Sequence, residues 1–215
     1  MDIRVVIFDF DGTLADTRRP IVIAKQESMK SAGLEVMDEE TCASTIGLTA
    51  KAGFLKFYPD LPEDMLDALV KDYRRRFDAL TQETPPERFP GVDRVLAELE
   101  KRNITRTIAT ARNKKSLMEF LAQWGMQDTF QYILCGEDTE RLKPYPDPVL
   151  KTLEELSFQP ENAMVVGDMP VDMEMGKSAG VYACGVTYGN SDRKHMLEAG
   201  ADFVIDSMEE LLTIL

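Results

Sequence analysis

Six short apolar runs set the strongest limit on what this chain can fold into: Ile3 to Phe8, Ile104 to Thr110, Tyr132 to Cys135, Ala163 to Val166, Tyr182 to Val186 and Phe203 to Ile205. Each reads as a buried strand. Between the later runs the apolar residues fall at helical spacing: Val92, Val95, Leu96 and Leu99, then Leu117, Phe120, Leu121 and Trp124, then Val149, Leu150, Leu153 and Leu156. Strand and helix alternating four or five times predict an α/β fold, a Rossmann-like doubly wound parallel sheet covered on both faces.

One stretch breaks the alternation. From about Asp16 to Pro86 there is no strand-like run; Leu66, Leu69, Val70, Tyr73, Phe77 and Leu80 mark an amphipathic helix, and Pro20, Gly33, Pro59, Pro62 and the pair Pro85-Pro86 punctuate the rest. This reads as an inserted all-helical cap domain, residues 16–85, with the α/β core formed by residues 1–15 and 86–215 and a hinge near Asp16 and Pro86. A chain of 215 residues has room for one such domain with a modest insertion.

Charge narrows the partners. Lys and Arg total 25 against 38 Asp and Glu, a net charge of -13, which repels nucleic-acid phosphates and anionic lipid over most of the surface. Neither nucleic acid nor a membrane is expected as a partner. Cys42, Cys135 and Cys184 are widely spaced and lack any C-x-x-C, so neither a disulfide framework nor a zinc ribbon is expected. With no signal-like or membrane-spanning apolar run, the chain is expected to be soluble and cytoplasmic. No pattern speaks to oligomeric state.

Chemistry is expected where the strands end. Asp9-Phe10-Asp11-Gly12-Thr13 follows the first run directly, so two carboxylates two residues apart leave the strand on one side. In an open parallel sheet, the carboxyl ends of the strands are where ligands bind. Gly12 permits a turn that brings backbone amides toward an anion. The bland alternative is a solvated turn. D-x-D-G-T arises by chance in roughly one in 500 chains of this length at average residue usage, which favours the functional reading.

Further strand ends supply the rest of a site. Thr110 closes the second run, where its hydroxyl and the following amide of Ala111 can hold a phosphoryl oxygen. Lys143 opens the run Pro144-Tyr145-Pro146-Asp147-Pro148, whose prolines restrict the backbone and present an ammonium rigidly. Asp168 follows the fourth run and Asp172 lies four residues on, with Pro170 suited to the start of a helix. Four collected carboxylates, Asp9, Asp11, Asp168 and Asp172, repel one another unless a cation intervenes, and all-oxygen ligands point to Mg²⁺ rather than zinc.

Other patterns carry less. Cys135 and Arg141 match a C-x-x-x-x-x-R spacing, but Glu137, Asp138 and Glu140 lie between them and would repel phosphate. Gly176-Lys177-Ser178 sits within a helical pattern, unlike the end of a phosphate-binding loop. His195, the only histidine, lies in a polar stretch without a nucleophile elbow and reads as a surface residue. Arg74-Arg75-Arg76 reads as a solvated helix face, with one side chain reaching an anionic substrate as the lesser alternative.

Taken in order, Asp9-x-Asp11-Gly12-Thr13, Thr110, Lys143 in Lys-Pro-x-Pro-x-Pro, and Gly167-Asp168 with Asp172 resemble the four motifs of the haloacid dehalogenase superfamily, in its phosphoglycolate phosphatase and β-phosphoglucomutase branch. The resemblance spans nearly the whole chain, including the helical cap. It implies a phosphoric monoester hydrolase acting on a small phosphorylated metabolite, with phosphoglycolate one candidate. Asp9 would be the nucleophile, forming an aspartyl phosphate, and Asp11 the general acid and base. Mg²⁺ would be bound by Asp9, the backbone carbonyl of Asp11 and Asp168, with Asp172 supporting through water or outer contacts. Thr110, with the amide of Ala111, and Lys143 would neutralise the transferring phosphoryl group.

The resemblance also separates branches. Dehalogenases lack an acid matching Asp11, so phosphorus chemistry is expected. A β-phosphoglucomutase-like phosphosugar mutase is the alternative: Asp16-Thr17 suits it, but its cap histidine would fall at Ile21 and its cap arginine at about Ala50. Three lysines, Lys25, Lys30 and Lys51, are available for the cap position of phosphonate-cleaving relatives. Specificity is expected from cap side chains such as Arg18, Arg19, Thr45, Thr49 and Lys51.

Overall fold

Strand β1 (Val5–Phe8) lies at the centre of the fold and is completely buried, as expected of a strand covered on both faces. In the computed structural model, which describes residues 1–215, it is followed by four helices: α1 (Arg18–Ser31), α2 (Glu39–Ala43), α3 (Ala50–Phe57) and α4 (Glu63–Glu83). The alternation then resumes with α5 (Val92–Lys101), β2 (Thr105–Ala109), α6 (Lys114–Gln123), β3 (Tyr132–Leu134) and α7 (Asp147–Leu156). It closes with β4 (Ala163–Gly167), α8 (Pro170–Ser178), β5 (Tyr182–Val186), α9 (Arg193–Glu198), β6 (Phe203–Ile205) and α10 (Leu211–Ile214).

The six strands form one sheet in the order β3-β2-β1-β4-β5-β6, every pairing parallel. From β1 the chain builds outward through β2 and β3, then returns to the other side of β1 with β4. The order therefore reverses between β1 and β4, and a crevice opens beyond their carboxyl ends. Phe8 stands beside Val166, and the Asp9 amide donates to the Val166 carbonyl at 2.9 Å. Whatever follows Phe8 and Gly167 must come together.

Alternation along β1 sorts the core into two faces. Val6 and Phe8 join Met164 and Val166 with Leu96, Leu99, Leu117 and Leu121 from α5 and α6. Val5 and Ile7 join Ala163 and Val165 with Val149 and Leu153 of α7 and Met175 of α8. Two-residue periodicity on the strands and 3.6-residue periodicity on the helices thus meet from both sides.

Between β1 and α5 there is no strand, only α1 to α4. Leu66, Leu69, Val70 and Phe77 of α4 are buried, with Tyr73 and Leu80 packed against the same cluster. The segments entering and leaving this helical stretch pair with each other: Ala15 bridges Arg88 in antiparallel sense, and the Asp16 amide donates to the Glu87 carbonyl at 2.9 Å. No helix is long and apolar enough to cross a membrane.

Candidate active site

Four strand ends supply the site. β1 ends at Phe8, so Asp9 emerges in the crevice, and β4 ends at Gly167, so Asp168 emerges beside it. β2 delivers Thr110, and the loop after β3 delivers Lys143. Asp9, Lys143, Asp168 and Asp172 are all buried, as are Asp11 and Thr110.

Close packing brings the acids into contact range. Gly12 adopts φ +88°, and a Cβ there would fall 2.1 Å from Asp168 Oδ2, so only glycine allows the turn after Asp11 to pass Asp168. At Gly167 an added Cβ would meet Asp172 Cγ at 2.3 Å. Asp172 lies in the first turn of α8 and accepts from the Met169 amide at 3.1 Å. An acid there gains from the helix dipole.

Lys143 ties the cluster together. Its Nζ lies 2.6 Å from Asp9 Oδ1 and 2.6 Å from Asp172 Oδ1. Burial alone would pull its pKa down, but the charges of Asp172 and Asp9 outweigh this and hold it above the ordinary lysine value. Burial pushes Asp9 well above the usual carboxylate range, and Asp172 and Asp168 add to the shift while Lys143 opposes it. Asp168 is raised to about 7, first by burial and then by Asp172, against hydrogen bonds from Asn190.

One cation cannot balance these acids. Oxygen atoms of Asp9, Asp168 and Asp172 lie within 4.8 Å of one another, and Asp9 Oδ2 is buried with no hydrogen-bond partner. An orphaned carboxylate oxygen in a crowd of hard anionic donors fits a cation of the Mg²⁺ type.

Asp11 points to a different set of partners. Thr17 Oγ1 donates to Asp11 Oδ1 at 2.6 Å, and Arg112 reaches both carboxylate oxygens, with Nε 3.0 Å from Oδ2. The Arg112 guanidinium lies over Phe77 of α4 at 4.6 Å, and over Phe120 of α6 at 4.8 Å. The carboxyl expected to handle protons is therefore gripped where the helical stretch meets the sheet.

Asp9, Asp11, Thr110 and Ala111 line one cavity of about 70 Å³. Ile21, Lys25, Thr45, Ala50, Tyr73, Arg74 and Arg112 also face it. The volume holds a few water molecules.

Several expected residues lie elsewhere. Arg18 pairs with Glu40, and Lys51 pairs with Asp67 and Glu63. Thr49 caps α3, and Lys30 is exposed. Among the five cap side chains expected to set specificity, Thr45 alone lines this cavity. Arg75 and Arg76 pair with Asp72, whereas Arg74 forms no ion pair and stands at the cavity. Cys135 is buried and its thiol is pushed up to about 12, chiefly by burial, which suits an inert cysteine. His195 hydrogen-bonds Asp192 at the exposed start of α9.

Two site residues escape sequence reasoning. Arg112 follows Thr110 by two positions, but its partner Asp11 is 101 residues away. Asn190 donates to Asp168 Oδ2 from its backbone at 2.8 Å and its side chain at 2.7 Å. Its position just after β5, another strand end, is the signal that could have found it.

Fold and site together define an α/β protein with an acid-rich centre at the switch point of its parallel sheet. The family model of the haloacid dehalogenase-like hydrolases matches residues 6–186, and the chain belongs to that family. Along its whole length it is 26% identical to pyrophosphatase PpaX of Oceanobacillus iheyensis, covering 97% of that protein. It is 28% identical to a phosphoglycolate phosphatase of Photorhabdus laumondii, over 98% of this chain and 92% of that one. A haloacid dehalogenase-like hydrolase structure from Bacteroides fragilis superposes with a TM-score of 0.91 at 28% identity, covering 97% of this chain and 99% of its own. The protein is a phosphatase-type enzyme of this family.

Proposed function

We propose that the protein is a Mg²⁺-dependent phosphatase that hydrolyses a small phosphorylated metabolite through an aspartyl phosphate on Asp9, in the manner of a phosphoglycolate phosphatase. The observation that carries this reading is the unpartnered Asp9 Oδ2, buried among Asp168, Asp172 and Lys143. Asp9, the main-chain carbonyl of Asp11 and Asp168 would hold Mg²⁺, with Asp172 in support. Bound there, the ion would neutralise charge between the carboxylate and the phosphoryl oxygens.

The chain's own groups account for the remaining steps. An Asp9 carboxylate oxygen attacks phosphorus as the ester P–O bond breaks, and Asp11 passes a proton to the departing alkoxide. Asp11 then takes a proton from the water that cleaves the acyl phosphate, restoring Asp9 and releasing phosphate. Lys143, the Thr110 hydroxyl and the Ala111 amide offset charge on the phosphoryl oxygens. Thr17 and Arg112 set where the Asp11 carboxyl stands.

Residues 16–85 act in this reading as a cap over residues 1–15 and 86–215, hinged where Asp16 and Glu87 pair. The cap positions at which a mutase would carry an acid–base group and a cation are Ile21 and Ala50, and both line the cavity. Neither can deliver a sugar hydroxyl or hold a second phosphoryl group, which favours hydrolysis. Three free, buried thiols suit a reducing, cytoplasmic setting.

Phosphate release from p-nitrophenyl phosphate tests the reading. Turnover should require Mg²⁺ and vanish in Asp9→Asn, and Asp11→Asn should slow it by about 10²- to 10⁴-fold. Undiminished turnover by Asp9→Asn would reject Asp9 as the nucleophile. A screen of phosphorylated metabolites would then identify the substrate.

A further inference from the structure

Lys25 carries an ammonium group into the catalytic cavity, and the reaction outlined above gives it no task. It lies one turn beyond Ile21 on the buried face of α1, and both residues line the cavity beside Asp9 and Asp11. Only 2% of Lys25 is exposed, yet it forms no ion pair. Its Nζ donates to the Cys42 carbonyl at 3.1 Å and to Thr45 Oγ1. Thr45 is itself anchored on the Cys42 carbonyl at 3.0 Å.

An ammonium has three N–H donors, and the third has no protein acceptor. Helix α3 passes close by without a side chain: a Cβ on Gly53 would stand 3.3 Å from Thr45 Oγ1 and 3.8 Å from Lys25 Nζ. Burial lowers the Lys25 pKa to about 8, against the opposing charges of Cys42 and Asp11. Sequestering a cation with only neutral partners is costly unless something anionic compensates it when the site is filled. Arg74, exposed to solvent and close enough to Asp78 for their charges to interact, lines the same cavity.

We propose that Lys25, oriented by Thr45 and the Cys42 carbonyl, binds a second anionic group on the substrate, carried on the leaving-group side of the scissile P–O bond. This rests on the phosphatase reading and narrows it. The substrate is a small phosphoryl compound whose leaving group bears a carboxylate or a second phosphoryl group.

The test compares kcat/KM for 2-phosphoglycolate, inorganic pyrophosphate and ethyl phosphate, the last having no charge beyond its phosphoryl group. The wild-type enzyme should prefer one charged compound over ethyl phosphate by at least about tenfold, the size of one charged hydrogen bond. Which compound wins tells carboxylate from phosphoryl group. Lys25→Met should lose about tenfold more on that compound than on ethyl phosphate, while Lys25→Arg should retain part of the preference. Thr45→Val, which keeps the charge but removes an anchor, should raise KM for the charged compound more than it lowers kcat.

A wild-type enzyme without charge preference would overturn the assignment, as would Lys25→Met losing equally on all three compounds. Should Lys25→Met fail to fold, a KM for the charged compound unmoved in Thr45→Val would overturn it as well. Absence of phosphate release from all three compounds and from p-nitrophenyl phosphate, with Mg²⁺ present, would instead strike the phosphatase reading, and this subsite with it. Turnover of ethyl phosphate with no preference strikes Lys25 alone.

Discussion

Asp168 illustrates how a site can be built against local stability. Buried beside Asp172 and raised to about 7, it favours the protonated form in the fold, whereas in the unfolded chain it ionises near the ordinary value of about 3.9. The folded state therefore binds more protons between those values, and the stability due to this group falls as pH rises through that window to about 7. Asp168→Asn should raise the Tm of metal-free protein at pH 8 by about 2–4 °C per kcal/mol relieved, and should abolish any further rise on adding Mg²⁺. Thermal melts with and without the ion check both. Lys25 has the opposite sign. Its folded pKa of about 8 lies below its ordinary value, so the penalty for charging it is complete below pH 8 and disappears as pH rises through about 10.4. The Tm difference between Lys25→Met and wild type should thus favour the variant most at pH 7 and shrink by pH 10.

At the scale of elements, the turn after β1 and the long helix α4 matter most. Gly12→Ala places a methyl group into Asp168 Oδ2 at a positive φ, so it should cost about 1–3 kcal/mol and most of the turnover. Denaturant melts and the phosphate assay read the two effects. Phe77 of α4 is buried, lies 6.2 Å from Phe120 and carries the Arg112 guanidinium on its face. Phe77→Ala should cost about 3–5 kcal/mol and release Arg112 from its stack, lowering kcat beyond what stability loss explains at a temperature where the variant is folded. These elements were largely legible beforehand. The apolar runs mark the strands to within a residue or two because the central ones are apolar on both faces, and Leu66 to Leu80 marks α4 because one stripe of that helix is buried. Lys25 was one of three lysines at the sequence level, since nothing in its neighbours distinguishes a buried lysine from a solvated one.

For the molecule as a whole, the cavity poses a question of access. The cavity lies between sheet loops and the helices of residues 16–85; if those helices close over the sheet as the proposed cap, the paired segments at Ala15 and Arg88 are the place to flex. Small-angle scattering should show a smaller radius of gyration when Mg²⁺ and orthovanadate are bound than in the free protein. The sequence alone determined the strands, the helical insertion, and the carboxylates, threonine and lysine expected at the strand ends, because these follow from periodicity and from positions a few residues apart. Only the tertiary structure decided that Arg112 grips Asp11, that Asn190 holds Asp168, and that Lys25 rather than Lys51 faces the cavity. Those partners are brought together by sheet order and helix packing, over separations that no local pattern encodes.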